Sequence, residues 1–139
     1  MTIFNSYQSK LEKLGFKIVD YDFSRPWGGF FVISEDQSQI FADEYFGGLD
    51  VTTLKISCKL SPKILVVAPN KRLSWQYHHR RAEIWRVIHG KAGVLRSNSD
   101  FENSIETLNT GESITLKQGE RHRLVGLDDY VFVAEIWQH

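Results

Sequence analysis

The chain has 139 residues, 42% of them hydrophobic, a formal net charge of zero and one cysteine, Cys58. That length supports one domain burying roughly 68% of its unfolded surface and falls short of two ordinary ones. Neutral charge speaks against a nucleic-acid-binding domain with a broad basic face, the lone cysteine excludes an internal disulfide, and no apolar run approaches the ~20 residues of a membrane span.

A polar N-terminus without an apolar signal region sets the expectation of a cytoplasmic protein. Residues 5 to 14, NSYQSKLEKL, read as a short amphipathic helix: Asn5 or Ser6 caps it, Tyr7, Leu11 and Leu14 share a face, and Gly15 stops it. Phe16 to Phe23 alternates as a strand, and Arg25-Pro26-Trp27-Gly28 forms a turn before the apolar Phe30 to Ile33. Ser34 to Phe46 reads as a second helix, with Ser34 and Gln37 placed as a capping box and Gly47-Gly48 as its end. A packed surface helix is the plainer expectation there; Tyr45 and Phe46 could instead cover a barrel mouth or a partner chain.

From Val51 the chain is strand after strand: Val51 to Leu60, Lys63 to Ala68, Leu73 to His78, Ala82 to His89, Ala92 to Arg96, Ser104 to Leu108, Ser113 to Leu116, His122 to Val125 and Tyr130 to Gln138. Ser61-Pro62, Pro69-Asn70, His89-Gly90, Asn109-Thr110-Gly111, Gln118-Gly119 and Asp128-Asp129 separate them as turns. Nine short strands without long helices between them predict an all-β double-sheet jelly roll.

Side chains able to bind a metal recur within that series. Gln76 and His78 sit two apart and share one face of a strand, Glu83 follows His78 by five positions, across a turn, and His122 comes just past Gly119. Imidazole nitrogens, a carboxylate and an amide oxygen suit zinc and related divalent ions. A single histidine is more often a hydrogen-bonded core or turn residue, but two alongside Gln76 and Glu83 point to a metal site. If Gln76 only bonds backbone, the other three still make an open three-ligand site. His79 falls on the strand face opposite His78. Residues 71 to 91 hold Lys71, Arg72, Arg80, Arg81, Arg86 and Lys91 against Glu83 alone, leaving +5 there and −5 over the rest. Such a basic segment suits a small anionic substrate.

The two stretches resemble the paired motifs of the cupin family, Gly-x5-His-x-His-x(3,4)-Glu-x6-Gly and Gly-x5-Pro-x-Gly-x2-His-x3-Asn. His78, Glu83, Gly90, Gly111, Gly119 and His122 fall in register, while Asn70, Gln76, Lys117 and Gly126 replace the first glycine, first histidine, proline and final asparagine. RPWG at 25 to 28, Lys63 before a hydrophobic strand, LSWQYHHRRAEIW and GERHRL are similar, in order, to the cupin domain of type II mannose-6-phosphate isomerases. Gln-x-His before a glutamate also resembles the metal site of the type I phosphomannose isomerases. The resemblance pauses over about residues 34 to 55. It implies a single cupin domain (a double-stranded β-helix) over 1–139, with an N-terminal helix and strand over 1–24, a helical insertion over 34–48, the barrel over 51–139 and one or two short peripheral helices. Type II members usually carry a preceding nucleotidyltransferase domain, for which this length has no room, so guanylyl transfer is not implied.

By the same resemblance Arg25, Lys63, Arg81 and Arg123 are candidates for substrate contact, and Glu135 matches an acidic residue of the family's last strand. The family's activity is the interconversion of mannose 6-phosphate and fructose 6-phosphate, an aldose to ketose step that moves a proton between C2 and C1 through an enediol. It calls for a base and a positive centre beside the developing oxyanion. Glu135 or metal-bound hydroxide are candidates for the base, and His79 if its strand bulges. No glycine-rich phosphate loop is present, so a phosphosugar needs arginine and lysine donors. The implied cofactor is one divalent metal ion, zinc first, with manganese, iron, nickel or cobalt as alternatives. The implied partner is a small phosphosugar, with no nucleic acid and no membrane, in a homodimer. Two other readings stand beside the isomerase: a sugar-phosphate-binding or regulatory cupin without turnover, and another cupin enzyme such as a dioxygenase or sugar-nucleotide epimerase.

Overall fold

The computed structural model describes residues 2–53, 59–73, 76–77, 82–97, 105–116 and 121–138, and at 76, 77, 82 and 138 the backbone only. The first helix, α1 (Ile3–Lys13), begins earlier than expected because Thr2 is the cap: its hydroxyl accepts from the Asn5 amide at 3.1 Å. Strands β1 (Ile18–Arg25) and β2 (Gly28–Ile33) form a hairpin in which Arg25 pairs with Gly28 around Pro26-Trp27.

The helix expected over Ser34 to Phe46 becomes a 3-10 turn, Glu35–Gln37, followed by α2 (Ser38–Tyr45). Its capping box does not form. The Ser34 hydroxyl donates to Asp36, and the Gln37 amide reaches back to the turn after α1, accepting from the Lys17 amide at 2.6 Å and donating to the Gly15 carbonyl at 2.9 Å. The strand expected from Val51 also fails at its start. Asp50 accepts from both the amide and the hydroxyl of Thr52, and this local turn curls Val51–Thr53 into a 3-10 helix. Residues 54 to 58, with Cys58, lie outside the described residues.

The remaining strands are β3 (Leu60–Val67), β4 (Gln76–Tyr77), β5 (Ala82–His89), β6 (Ala92–Ser97), β7 (Glu106–Leu108), β8 (Ser113–Leu116), β9 (Arg121–Gly126) and β10 (Val131–Gln138). Ser61-Pro62, expected as a turn, lies inside β3. Proline is tolerated because β2 stops pairing at Lys63, so at Pro62 the strand's paired neighbour is β10. Two antiparallel sheets result, six strands in the order β1-β2-β3-β10-β5-β8 and four in the order β4-β9-β6-β7. This is the all-β jelly roll with two short helices that the strand series predicts.

The central strands of the six-stranded sheet are buried on both faces. Its outer face, with Phe31, Ile64, Val66, Ala134 and Ile136, packs against Tyr7 and Leu11 of α1 and Phe41, Ala42 and Tyr45 of α2. Its inner face, with Leu65, Val67, Trp85, Val87, Val131 and Val133, meets Leu73, Val94, Leu108 and Leu124 from the other side of the barrel. The second helix is therefore the packed surface helix and takes no part in the barrel mouth. Arg86, on the outer face, donates to the Tyr45 carbonyl at 3.3 Å and so binds the C-terminal end of α2, where a cation complements the helix dipole. No helix among the described residues is long and apolar enough to cross a membrane.

Candidate functional site

Strand alternation decides which polar side chains enter the barrel. Because Val131 and Val133 of β10 face inward, Glu135 and Trp137 do too; the same parity turns Lys63 of β3 inward with Leu65, and Glu83 of β5 inward with Trp85 and Val87. Register then lines them up. Lys63, Glu135 and Trp85 are cross-strand partners in one row, and Ser61, Trp137 and Glu83 in the next. Lys63, Glu135, Trp85, Trp137 and Glu83, with Arg25, Trp27 and Phe30 from the first hairpin, line a cavity of about 260 Å³.

The opposite sheet contributes His122, which is 2% exposed. Its Nε2 lies 3.4 Å from Oε2 of Glu83, and its ring meets the Trp85 indole edge-on at 5.4 Å and 86°. Two donors bonded at about 2.1 Å to one tetrahedral ion would stand about 3.4 Å apart, so this imidazole and carboxylate fit a shared divalent cation. Among the described residues no three of His, Cys, Asp or Glu gather closely enough to hold a metal. His78 lies outside them, and Gln76 is described by its backbone, which pairs with His122 across β4 and β9.

Glu135 is buried beside this pair. Its Oε1 accepts from the Trp85 indole N–H at 2.8 Å, and burial first, then the charge and hydrogen bond of Glu83, push its pKa up to about 8 against the opposing pull of Lys63 and Trp85. Glu135 and Glu83 are close enough to share a proton. The Lys63 ammonium lies 4.8 Å over the Trp137 ring and 5.6 Å from that of Phe30, which holds a cation in the cavity wall on the Glu135 side. Arg25 also faces Phe30, at 5.6 Å, while its Nε pairs with Asp22 at 3.0 Å.

Four expected residues therefore share the cavity or its edge: Glu83, Glu135, Lys63 and Arg25, with His122 in contact through Glu83. Arg123 does not join them. It is next to His122 on β9 and so takes the other strand face, paired with Leu95. Arg81, with His79 and Arg80, lies outside the described residues. The local excess of basic side chains does not line the cavity where it is described: Lys71, Arg72 and Lys91 are exposed, and Arg86 binds α2. The tryptophans Trp85 and Trp137 were unassigned from sequence, although their two-residue spacing from Glu83 and Glu135 is itself a same-face signal.

Two departures from the motif have local causes. Asn70, in place of glycine, adopts φ 61°, the left-handed region that asparagine tolerates better than most residues. Gly126, in place of asparagine, leaves no room for a side chain, because an added Cβ would run into the Ala68 carbonyl oxygen.

A double sheet with an inward imidazole and carboxylate at this spacing is a cupin barrel. Solved structures agree on the fold: KdgF from Halomonas sp. is 14% identical at a TM-score of 0.60, over 85% of this chain and 84% of that one. A Cupin 2 conserved barrel domain protein from Salinispora arenicola is 21% identical at 0.51, over 60% and 66%. An oxalate decarboxylase from Lactobacillus farciminis, as its formate complex, is 16% identical at 0.58, over 88% and 29%. The chain thus spans less than two thirds of the last two. Within the cupins, the chain belongs to the family described as mannose-6-phosphate isomerase C-terminal, whose model matches residues 46–130. Arg25 and Glu135 lie outside that matched stretch. No curated protein matches the chain.

Proposed function

We propose that this protein is a metal-dependent aldose–ketose isomerase acting on a small phosphosugar, mannose 6-phosphate by the family description. The observation that supports this most directly is Glu135, a buried carboxyl pushed up to about 8 beside a carboxylate and an imidazole spaced as metal ligands. A carboxylate this basic is matched to proton transfer near neutral pH. It takes the C2 proton and returns it to C1 while the O2 proton passes to O1, converting the aldose to the ketose through the enediol. Trp85 fixes the orientation of that carboxyl, and Lys63 places a positive charge in the same wall. A divalent ion, zinc first, held by Glu83 and His122 with His78 and Gln76 as further ligands, would supply Lewis-acid stabilisation of the oxyanion.

The test is isomerase activity on mannose 6-phosphate in D2O with metal-replete protein, scoring deuterium at C1 of the fructose 6-phosphate formed and at C2 of recovered mannose 6-phosphate. His122→Ala and Glu135→Gln should each lower turnover by roughly 100-fold or more. Full activity in His122→Ala removes the metal-dependent reading. A binding protein without turnover is the second reading, favoured by Arg25 being engaged with Asp22 and by the placement of Lys71, Arg72, Arg86 and Lys91 away from the cavity. Saturable binding of mannose 6-phosphate without exchange at C2 would select it.

A further inference from the structure

In the four-stranded sheet, β6 pairs with β9 so that Arg96 lies directly opposite His122, and β9 pairs with β4 so that Gln76 lies on its other side. Directly opposed residues project to the same face, with Cβ atoms about 5 Å apart. His122 faces inward, onto Glu83 and Trp85. Arg96 is therefore on the inner face as well, two residues beyond the inward Val94, where the buried core gives way to the barrel mouth. Its side chain is 35% exposed, and its Nε lies 3.4 Å from Oε1 of Glu106, itself 51% exposed and paired in register with Val94 on β7.

We propose that Arg96 is the guanidinium that binds the anionic group of the substrate, a sugar phosphate, and that Glu106 is its stand-in anion when substrate is absent. The proposal rests on the phosphosugar reading of the same cavity. Lys63 faces the cavity from the six-stranded sheet, and Arg96 supplies the matching cation on the four-stranded side, next to the candidate ligand His122. Guanidinium offers a phosphate two parallel donors, which a half-exposed carboxylate at 3.4 Å surrenders at little cost. Its place in the same row as His122 sets the phosphate beside the candidate metal ligands.

Binding is measured separately from turnover, by calorimetric titration with mannose 6-phosphate, inorganic phosphate and unphosphorylated mannose. Arg96→Gln should weaken mannose 6-phosphate and phosphate roughly tenfold or more, the scale of one charge-assisted bidentate contact, and leave mannose unchanged. Glu106→Gln should act in the opposite direction and tighten both anions about threefold by removing the competing carboxylate. Equal affinities in Arg96→Gln and the unsubstituted protein, or no saturable anion binding by the latter, overturn the assignment. Arg96-dependent binding with no isomerisation sinks the isomerase reading while leaving Arg96 in its role.

Discussion

Glu135→Gln should change how stability depends on pH. The carboxyl has an ordinary value of 4.5 in the open chain and is raised to about 8 in the fold, so the folded state holds its proton more tightly. A group raised in this way contributes its full stability below pH 4.5 and loses it as pH climbs through 8, at a rate of up to about 1.4 kcal/mol per pH unit. Between pH 5 and 7 the metal-free protein should therefore lose up to about 2.7 kcal/mol through this one carboxyl, a fall in Tm on the order of 5–10 °C for a chain of this size. Glutamine has the same shape, keeps an oxygen for the Trp85 indole N–H and carries no titrating proton. Urea unfolding of chelator-treated protein at pH 5, 6, 7 and 8 would give the difference between variant and parent at each pH, with unrelated groups cancelling. The variant should gain relative to the parent as pH rises. A difference that stays flat across this range would show that Glu135 is not held protonated by burial and Glu83, and would remove the basis for its proton-transfer role.

Trp85→Phe keeps the ring and deletes the donor to Glu135, so it should cost about 1–3 kcal/mol and move the midpoint of that pH dependence upward, since the indole N–H favours the ionised carboxylate. An unchanged midpoint would count against the hydrogen bond. Phe41→Ala empties a fully buried site between Phe16 and Tyr45 and should destabilise by about 3–5 kcal/mol. Because it lies on the opposite face of the sheet from the cavity, metal binding per folded molecule should be unchanged; weakened metal binding would refute that separation. Gly126→Asn, which restores the motif's residue, should destabilise by about 1–3 kcal/mol because its Cβ meets the Ala68 carbonyl. Unaltered Tm in this variant would mean that the backbone can yield there.

Local pattern was enough where one strand's own residues set its state. Ala82 to His89 and Ser113 to Leu116 have the bounds their alternation predicts, and the left-handed turn at Asn70 is likewise written in adjacent positions. Even the outward placement of Arg123 follows from its adjacency to His122. Elsewhere partners distant in the chain decided the outcome. Gln37 left its capping box for a turn some twenty residues earlier, and Pro62 entered a strand because β2 had already ended. Lys63, Glu135 and Trp85 form a row solely through the registers of β3, β10 and β5, and Arg96 stands beside His122 solely through that of β6 and β9. A residue's face is a matter of counting by two along its own strand, but which residue stands opposite depends on long-range pairing, and pairing is chosen by the burial of both sheet faces at once.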